Sequence, residues 1–372
     1  MFTKFSLKDY NFKLLLLVMS AITIGIVVIN SAESSFTSKQ IFGAVLGLFI
    51  MLFLSVVNYD FVCKFYIVLY VTNLILLLLV LLFGVEVNYA TRWILIGGAN
   101  GIQFQPSEFS KIFMIIFSSV LLADLKQKDK VNTAKGLFTY VGTMGLTLLL
   151  ILNEPDLSTT ICLTLVLLTL LYVAGLSYKI IGIALLILIP LAGSFLWYIQ
   201  RPDQVLLRDY QVNRILQFIY PGQYGDDYSQ QNNSIMAIGS GQLTGKGLNT
   251  STIATVKDAN FISEQQTDFI FSVIGEELGF IGSVIIIAII LLIVLQCISI
   301  ARRAKDTKGM LIAAGVGALI AYQSFINIAV ATGVFPNTGI PLPFISYGLS
   351  SLISISIGMG VVLNISLQKT LY

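Results

Sequence analysis

Apolar runs long enough to cross a lipid bilayer recur along the chain, near residues 13–30, 40–57, 61–83, 107–123, 136–152, 159–175, 180–199, 269–299, 310–332 and 345–365. Most hold about 17–23 residues, which at about 1.5 Å per residue crosses a hydrocarbon core of about 30 Å. Lipid offers no partners to backbone N–H and C=O groups, so runs of this length must be helices. Only 11% of the residues are charged and 56% are hydrophobic, whereas a soluble domain averages about 25% charged. The expected fold is an all-α polytopic membrane protein, one membrane domain over residues 1–372 with ten transmembrane helices.

Lysine and arginine set the expected orientation. With the N-terminus in the cytoplasm, fourteen of the twenty-two basic residues fall on inside connections, concentrated at 126–135 and 302–308, as the positive-inside rule requires. Ten spans then leave both termini cytoplasmic. The basic stretch before the first span reads as a retained signal-anchor, because Ser31-Ala32-Glu33 makes a poor cleavage site. One long extracytoplasmic loop, 200–268, separates spans seven and eight, and its Tyr, Arg and Gly content predicts partial order. The dense motifs all lie on this outer side, which places the work of the chain at the outer leaflet of a cytoplasmic membrane. A net charge of +3 gives no footprint for nucleic acid.

The chain has no histidine. A Ser-His-Asp triad, a histidine base and His-ligated zinc are therefore excluded, and proton transfer falls to carboxylates, Lys or Tyr. Any metal would be a hard, oxygen-ligated ion. Cys63, Cys162 and Cys297 lie in or beside apolar runs without metal-ligand spacing and read as small core residues.

Five stretches carry chemistry. Thr91-Arg92-Trp93-Ile94 leads through a loop with Gly97, Gly98 and Gly101 to Gln105-Pro106-Ser107-Glu108-Phe109-Ser110-Lys111, where Pro106 and Ser107 are helix-start residues. Glu108 and Lys111 share a helix face. They form an internal ion pair, or line a polar cavity with Lys111 on an anionic group, or do both. Glu154-Pro155-Asp156-Leu157-Ser158 opens the sixth span, with Asp156 or Ser158 as its cap. In the long loop, Arg201, Arg208 and Arg214 precede Ser234 to Gly247, whose glycines either bring backbone N–H groups to phosphate or sugar oxygens or form a plain flexible loop.

The fourth stretch, Ile262 to Gly279, gathers Glu264, Asp268, Glu276 and Glu277 at the edge of the eighth span. A helix starting near Glu264 would put Glu264 and Asp268 on one face. Asp268 is then either a helix cap or a reactive carboxylate. Glu276 and Glu277, costly in an apolar span, require a polar cavity or a partner such as Lys111. The fifth, Phe335 to Ser351, holds three prolines and no charge. It cannot be a continuous helix and must be buried or line a cavity.

Taken in order, RWI at 92–94, QPSEFSK at 105–111, EPDLST at 154–159, AIGSGQLTGKG at 237–247, EQQTDFIFSVIGEELGFIG at 264–282 and FPNTGIPLPFISYG at 335–348 resemble the SEDS proteins (shape, elongation, division and sporulation). The resemblance runs over nearly the whole chain, and looks closer to the RodA elongation type than to the FtsW division type, with a sporulation paralogue as a further option. It implies a membrane glycosyltransferase that polymerises lipid II into β-1,4 glycan strands with inversion. Asp268 matches the family's essential aspartate and would be the general base. By the same resemblance Trp93 would sit near lipid entry.

The other candidate substrate contacts are Glu108, Lys111, Arg208, Arg214, Lys246, Glu264, Gln266, Thr267, Glu276 and Ser346. Lys111, Arg208, Arg214 or a divalent cation, magnesium or manganese, would offset the charge of the departing undecaprenyl pyrophosphate. The expected partner is a class B penicillin-binding protein. Gln266 stands where the family usually has a histidine, and a glutamine cannot titrate. The competing readings are a flippase for the lipid-linked precursor and a non-catalytic scaffold for a transpeptidase.

Overall fold

The computed structural model describes residues 10–87, 90–96, 102–201, 204–206, 212, 215–216, 219–220, 226–249 and 264–368. Ten long helices carry the fold: α1 (Phe12–Ala32), α2 (Thr37–Val56), α4 (Tyr66–Phe83), α5 (Pro106–Gln127), α6 (Ala134–Asn153), α7 (Leu157–Ala174), α8 (Tyr178–Ile199), α10 (Ile270–Arg302), α11 (Thr307–Ala331) and α12 (Leu349–Leu367). A short α3 (Tyr59–Lys64) precedes α4, and α9 (Asp226–Ser240) lies inside the long loop. Among the described residues nine helices are long and apolar enough to span a membrane. The remaining long helix is α5, whose Glu108, Lys111, Asp124 and Lys126 lower its hydropathy.

The core is built around α5, α11 and α12. α11 packs against α10, α7 and α5, and α12 runs along α2. These inner helices hide polar side chains as well as apolar ones: Ser107, Ser110, Lys111, Gln323, Asn327, Ser354 and Asn364 are all nearly or wholly buried. Buried polar groups in lipid need partners, and the partners are interhelical. Ser110 donates to Asn73 at 2.5 Å, and Ser354 Oγ donates to the Glu108 carbonyl at 2.6 Å. α8 is the opposite case. Of its twenty-two residues only Ile199 is buried, in a small cluster with Val212 and Leu216 apart from the main core.

Helix boundaries follow local chemistry. Asp156 caps α7 by accepting the Thr159 N–H at 3.0 Å, and Pro106 sits in the first turn of α5, where its missing N–H costs nothing. The basic connections meet at one end of the bundle. There Lys305 and Lys308 hold Asp60 at 2.7 and 2.9 Å, and Lys305 also donates to Gln368 at 2.8 Å. The other end carries the motifs. It also carries a small antiparallel sheet that the hydropathy reading missed: β1 (Val85–Val87), β2 (Ala90–Ile96) and β3 (Ile102–Phe104) in that order. Val85 pairs with Trp93 and Ile94 with Phe104. The outer loop expected at this point is thus largely a sheet rim; Gly97, Gly98 and Gly101 lie outside the described residues.

α10 is not one straight rod. Gly279 has φ 66° and ψ −163°, which breaks the helix and leaves backbone groups without helical partners. The loop after α9 supplies them. Lys246 and Gly247 donate their N–H groups to the carbonyls of Glu276 and Glu277 at 2.9 and 3.0 Å, while Phe280 and Ile281 donate to the carbonyls of Gln242 and Leu243 at 2.8 and 3.1 Å. This clasp answers the question posed by the glycine-rich stretch. The N–H groups of Lys246 and Gly247 are used on α10, so this end of the stretch is an ordered clasp and not a plain flexible loop.

Candidate active site

The stretch 264–269 forms a tight turn rather than the first turn of α10. The Glu264 carbonyl accepts the N–H groups of Thr267 and Asp268 at 3.1 and 3.2 Å, but Glu264 itself has φ 56°, and the helix starts only at Ile270. The expected helical face shared by Glu264 and Asp268 is therefore not formed. Glu264 is exposed and accepts a 3.2 Å bond from the Gln266 amide.

Three consecutive carbonyls of this turn are held from outside. The Tyr347 N–H donates to Gln266 O at 2.9 Å. Ser346 Oγ donates to Thr267 O at 2.6 Å. Asn327 Nδ2 donates to Asp268 O at 2.8 Å. The backbone at Asp268 is thus pinned between α11 and the proline-rich segment, while its side chain is half-buried at the edge. The proline-rich segment walls the carboxylate closely. A Cβ on Gly339 would lie 3.2 Å from Asp268 Oδ2, and Gly339 has φ 74°. The segment is in turn buttressed by Ser158 of α7, which donates to the Thr338 carbonyl.

The remaining sequence candidates separate into two groups. Ser346, Thr267 and Gln266 join Asp268 in this clamp. Trp93 lies half-buried on β2, whose neighbour Arg92 reaches Asp156 at 3.8 Å. Glu108, Lys111, Lys246 and Glu276 are instead paired inside the protein. Lys111 Nζ donates to Glu108 at 2.8 Å and to Gln323 Oε1 at 3.4 Å, and Lys246 pairs with Glu276 at 2.7 Å. Glu277 accepts from Ser31 of α1 at 2.5 Å. The internal ion pair expected as one arrangement of Glu108 and Lys111 is formed. Glu276 pairs with the loop and not with Lys111. Arg208 and Arg214 lie outside the described residues. The described residues contain no cluster of three or more Asp, Glu or Cys that could hold a metal ion.

The sequence reading missed Gln323, Asn327 and the Arg92–Asp156 pair. A signal existed: Gln323 and Asn327 are polar residues four apart in an apolar span, so they share one helix face.

Glu154, between α6 and α7, is fully buried with neither carboxylate oxygen hydrogen-bonded. Burial, and then the Asp156 carboxylate, push its carboxyl up to about 9, against the opposing pull of Arg92. A carboxyl raised in the folded state contributes stability that is complete below the ordinary carboxylate range. That stability is lost as pH climbs toward the raised value. Glu154→Gln should therefore flatten the decline in melting temperature between about pH 5 and 9, and raise it at the alkaline end. Melting curves in detergent across that range check this; identical slopes for the two proteins would refute it.

Known proteins resolve the family. The sequence profile of the FtsW/RodA/SpoVE group, described as cell cycle proteins, matches residues 7–371. The chain belongs to this family. Over 97% of its length it is 34% identical to the probable peptidoglycan glycosyltransferase FtsW of Trichlorobacter lovleyi, covering 94% of that protein. It is equally 34% identical to stage V sporulation protein E of Bacillus subtilis, over 95% of this chain and 96% of that one. The fold matches a chain from a solved structure on the coordination of polymerization and crosslinking by a peptidoglycan synthase complex. That match has a TM-score of 0.79 at 25% identity and covers 96% of this chain and 97% of that one. The rod shape determining protein RodA of Thermus thermophilus shares the fold, with a TM-score of 0.68 at 24% identity over 96% of each chain. As a family member, this chain is a multi-pass membrane protein, with ten long helices among the described residues.

Proposed function

We propose that this FtsW/RodA/SpoVE family member is a peptidoglycan glycosyltransferase that polymerises lipid II at the outer face of the cytoplasmic membrane. The observation that carries the reading is Asp268. In a chain without histidine, it is a half-buried carboxylate whose backbone is fixed on three successive carbonyls, in a family whose members bear that activity in their names.

Asp268 takes the proton of the GlcNAc C4 hydroxyl of an acceptor lipid II. The oxygen attacks the anomeric carbon of the donor glycan, and the bond from that carbon to the pyrophosphate oxygen breaks. The electron pair leaves with undecaprenyl pyrophosphate, and the α-linked donor becomes a β-1,4 link. One base suffices because pyrophosphate needs no protonation to leave. Lys111 and Arg92 are already paired with carboxylates, so Arg208 and Arg214 of the long loop are the cations left for the leaving group. Should a divalent cation, magnesium or manganese, take part, it arrives with the pyrophosphate oxygens, because magnesium sites commonly combine one or two carboxylates with substrate phosphates. EDTA titration of the polymerisation rate tests this.

The partner is a class B penicillin-binding protein, which supplies the crosslinking that this chain lacks. We assign the elongation role of the RodA type; relatives named for division and for sporulation stand at the same 34% identity.

The test is lipid II given to the purified chain with its partner, in sealed vesicles. Glycan polymer supports the proposal. Translocated lipid II without polymer favours the flippase reading, and stimulated crosslinking by the partner with neither polymer nor translocation favours the scaffold. Gly339→Ala provides a second check, since the added methyl would press on the Asp268 carboxylate and strain a positive φ. Polymerisation should fall by up to about tenfold, since the contact forces a shift of only a few tenths of an ångström where a full 1 Å can cost about 10²-fold; an unchanged rate would show that the wall does not shape the site.

A further inference from the structure

Asn327 contributes more than packing. Its Nδ2 donates at once to Asp268 O at 2.8 Å and to Ile340 O at 2.7 Å. One side chain therefore ties the reactive turn to the proline-rich wall that faces the carboxylate. Four residues earlier on α11, Gln323 Nε2 donates to Pro341 O at 3.2 Å, and its Oε1 accepts from Lys111 at 3.4 Å. Lys111 is fixed by Glu108 at 2.8 Å. The two amides form adjacent rungs of a ladder, both nearly fully buried. The ladder starts at an ion pair between neighbouring turns of α5 and ends at the backbone of Asp268.

We propose that Asn327, with Gln323 behind it, is a positioning residue for the glycosyl transfer, setting the distance between the Asp268 carboxylate and the wall at Gly339. The proposal rests on the reading of Asp268 as general base. Its physical basis is the pair of acceptors. A single donor to either carbonyl would satisfy one buried group, but only a double donor holds the turn and the wall at a fixed separation. It also gives the buried Glu108–Lys111 pair a role without substrate contact. Lys111 orients the Gln323 amide so that its NH2 faces Pro341.

The experiment compares two buried asparagines of one chain. Asn364 of α12, at the opposite end, donates to Ser55 O at 2.9 Å and accepts from the Tyr59 N–H at 2.9 Å, so it is matched in chemistry but remote from Asp268. Full-length Asn327→Leu and Asn364→Leu are assayed with the class B partner for lipid II affinity, polymerisation kcat and melting temperature. The expected result is comparable loss of melting temperature in both. Only Asn327→Leu should lose kcat, by tenfold or more, with lipid II affinity within about twofold of wild type, because misplacement by about 1 Å can cost on the order of 10²-fold. Should Asn327→Leu not survive purification, Asn327→Ser, which keeps one donor for two carbonyls, carries the same comparison.

Wild-type kcat in the Asn327 variant overturns the proposal. So does an equal loss in Asn364→Leu, or a loss confined to lipid II affinity. Asp268→Asn is run alongside. Full activity there removes the base reading itself, whereas an inactive Asp268→Asn with an unaffected Asn327 variant removes only the positioning role.

Discussion

Asp268→Asn lowers lipid II polymerisation by roughly 10²- to 10⁴-fold, the range that a single general base contributes, while the melting temperature stays near wild type. The separation of the two effects follows from how the residue is held. Tyr347, Ser346 and Asn327 grip the carbonyls of residues 266–268, and an amide side chain leaves those bonds in place. The carboxylate is half-buried, so replacing one of its oxygens by NH2 opens no cavity. What is lost is the negative charge and with it the ability to take a proton. Gln266 cannot supply it, and no histidine exists to substitute. Polymer yield from lipid II, measured beside a melting curve, checks both halves. A variant that polymerises at the wild-type rate would remove Asp268 from the reaction.

Gly245→Ala should prevent the protein from accumulating in folded form. A Cβ there would lie 2.1 Å from the Glu277 carbonyl oxygen, at φ 80°, so both the space and the backbone conformation exclude it. The loop must then withdraw from the break at Gly279, and with it go four backbone bonds and the pair of Lys246 with Glu276 at 2.7 Å. Each buried polar group left without a partner costs about 1–3 kcal/mol. Losing several therefore rivals the whole stability of a domain, about 5–15 kcal/mol. Gly239→Ala is the control. No atom beyond its own helix lies within 4 Å of its added Cβ, and in the last turn of α9 an alanine meets neither a clash nor a positive φ. Membrane yield and fluorescence-detected size exclusion distinguish the two variants, and a well-folded Gly245→Ala protein would show that the clasp does not matter.

The spans were readable because hydropathy measures what lipid demands of a segment. The turn chemistry at Pro106, Asp156 and the proline-rich stretch was readable because those residues restrict their own backbone. What escaped the sequence is pairing between distant segments. Gly279 sits in an apolar run whose hydropathy is blind to one residue with positive φ, and its partners lie more than thirty positions earlier in the loop. The sheet escaped because three short strands between glycines resemble a loop until their partners are known. At the site, the motif singled out Asp268. The hands that hold it, Ser346 aside, belong to polar residues that a reading of apolar spans passes over. Glu276 and Lys246 show the converse. A glutamate in a span asked for a partner, and the fold supplies a lysine from the distant loop.

α8 closes on a question of compliance. Helices such as α11 and α12 are stiff because moving them would tear many side-chain contacts at once. α8 has few to tear: among the described residues only its Ile199 is buried, with Tyr178 touching Tyr172 of α7. Helix association in a bilayer depends on packing and interhelical hydrogen bonds rather than on expulsion of water. Among the described residues α8 is therefore the long helix that can shift with the fewest buried side chains disturbed, whereas the turn at Asp268 sits among the well-packed helices.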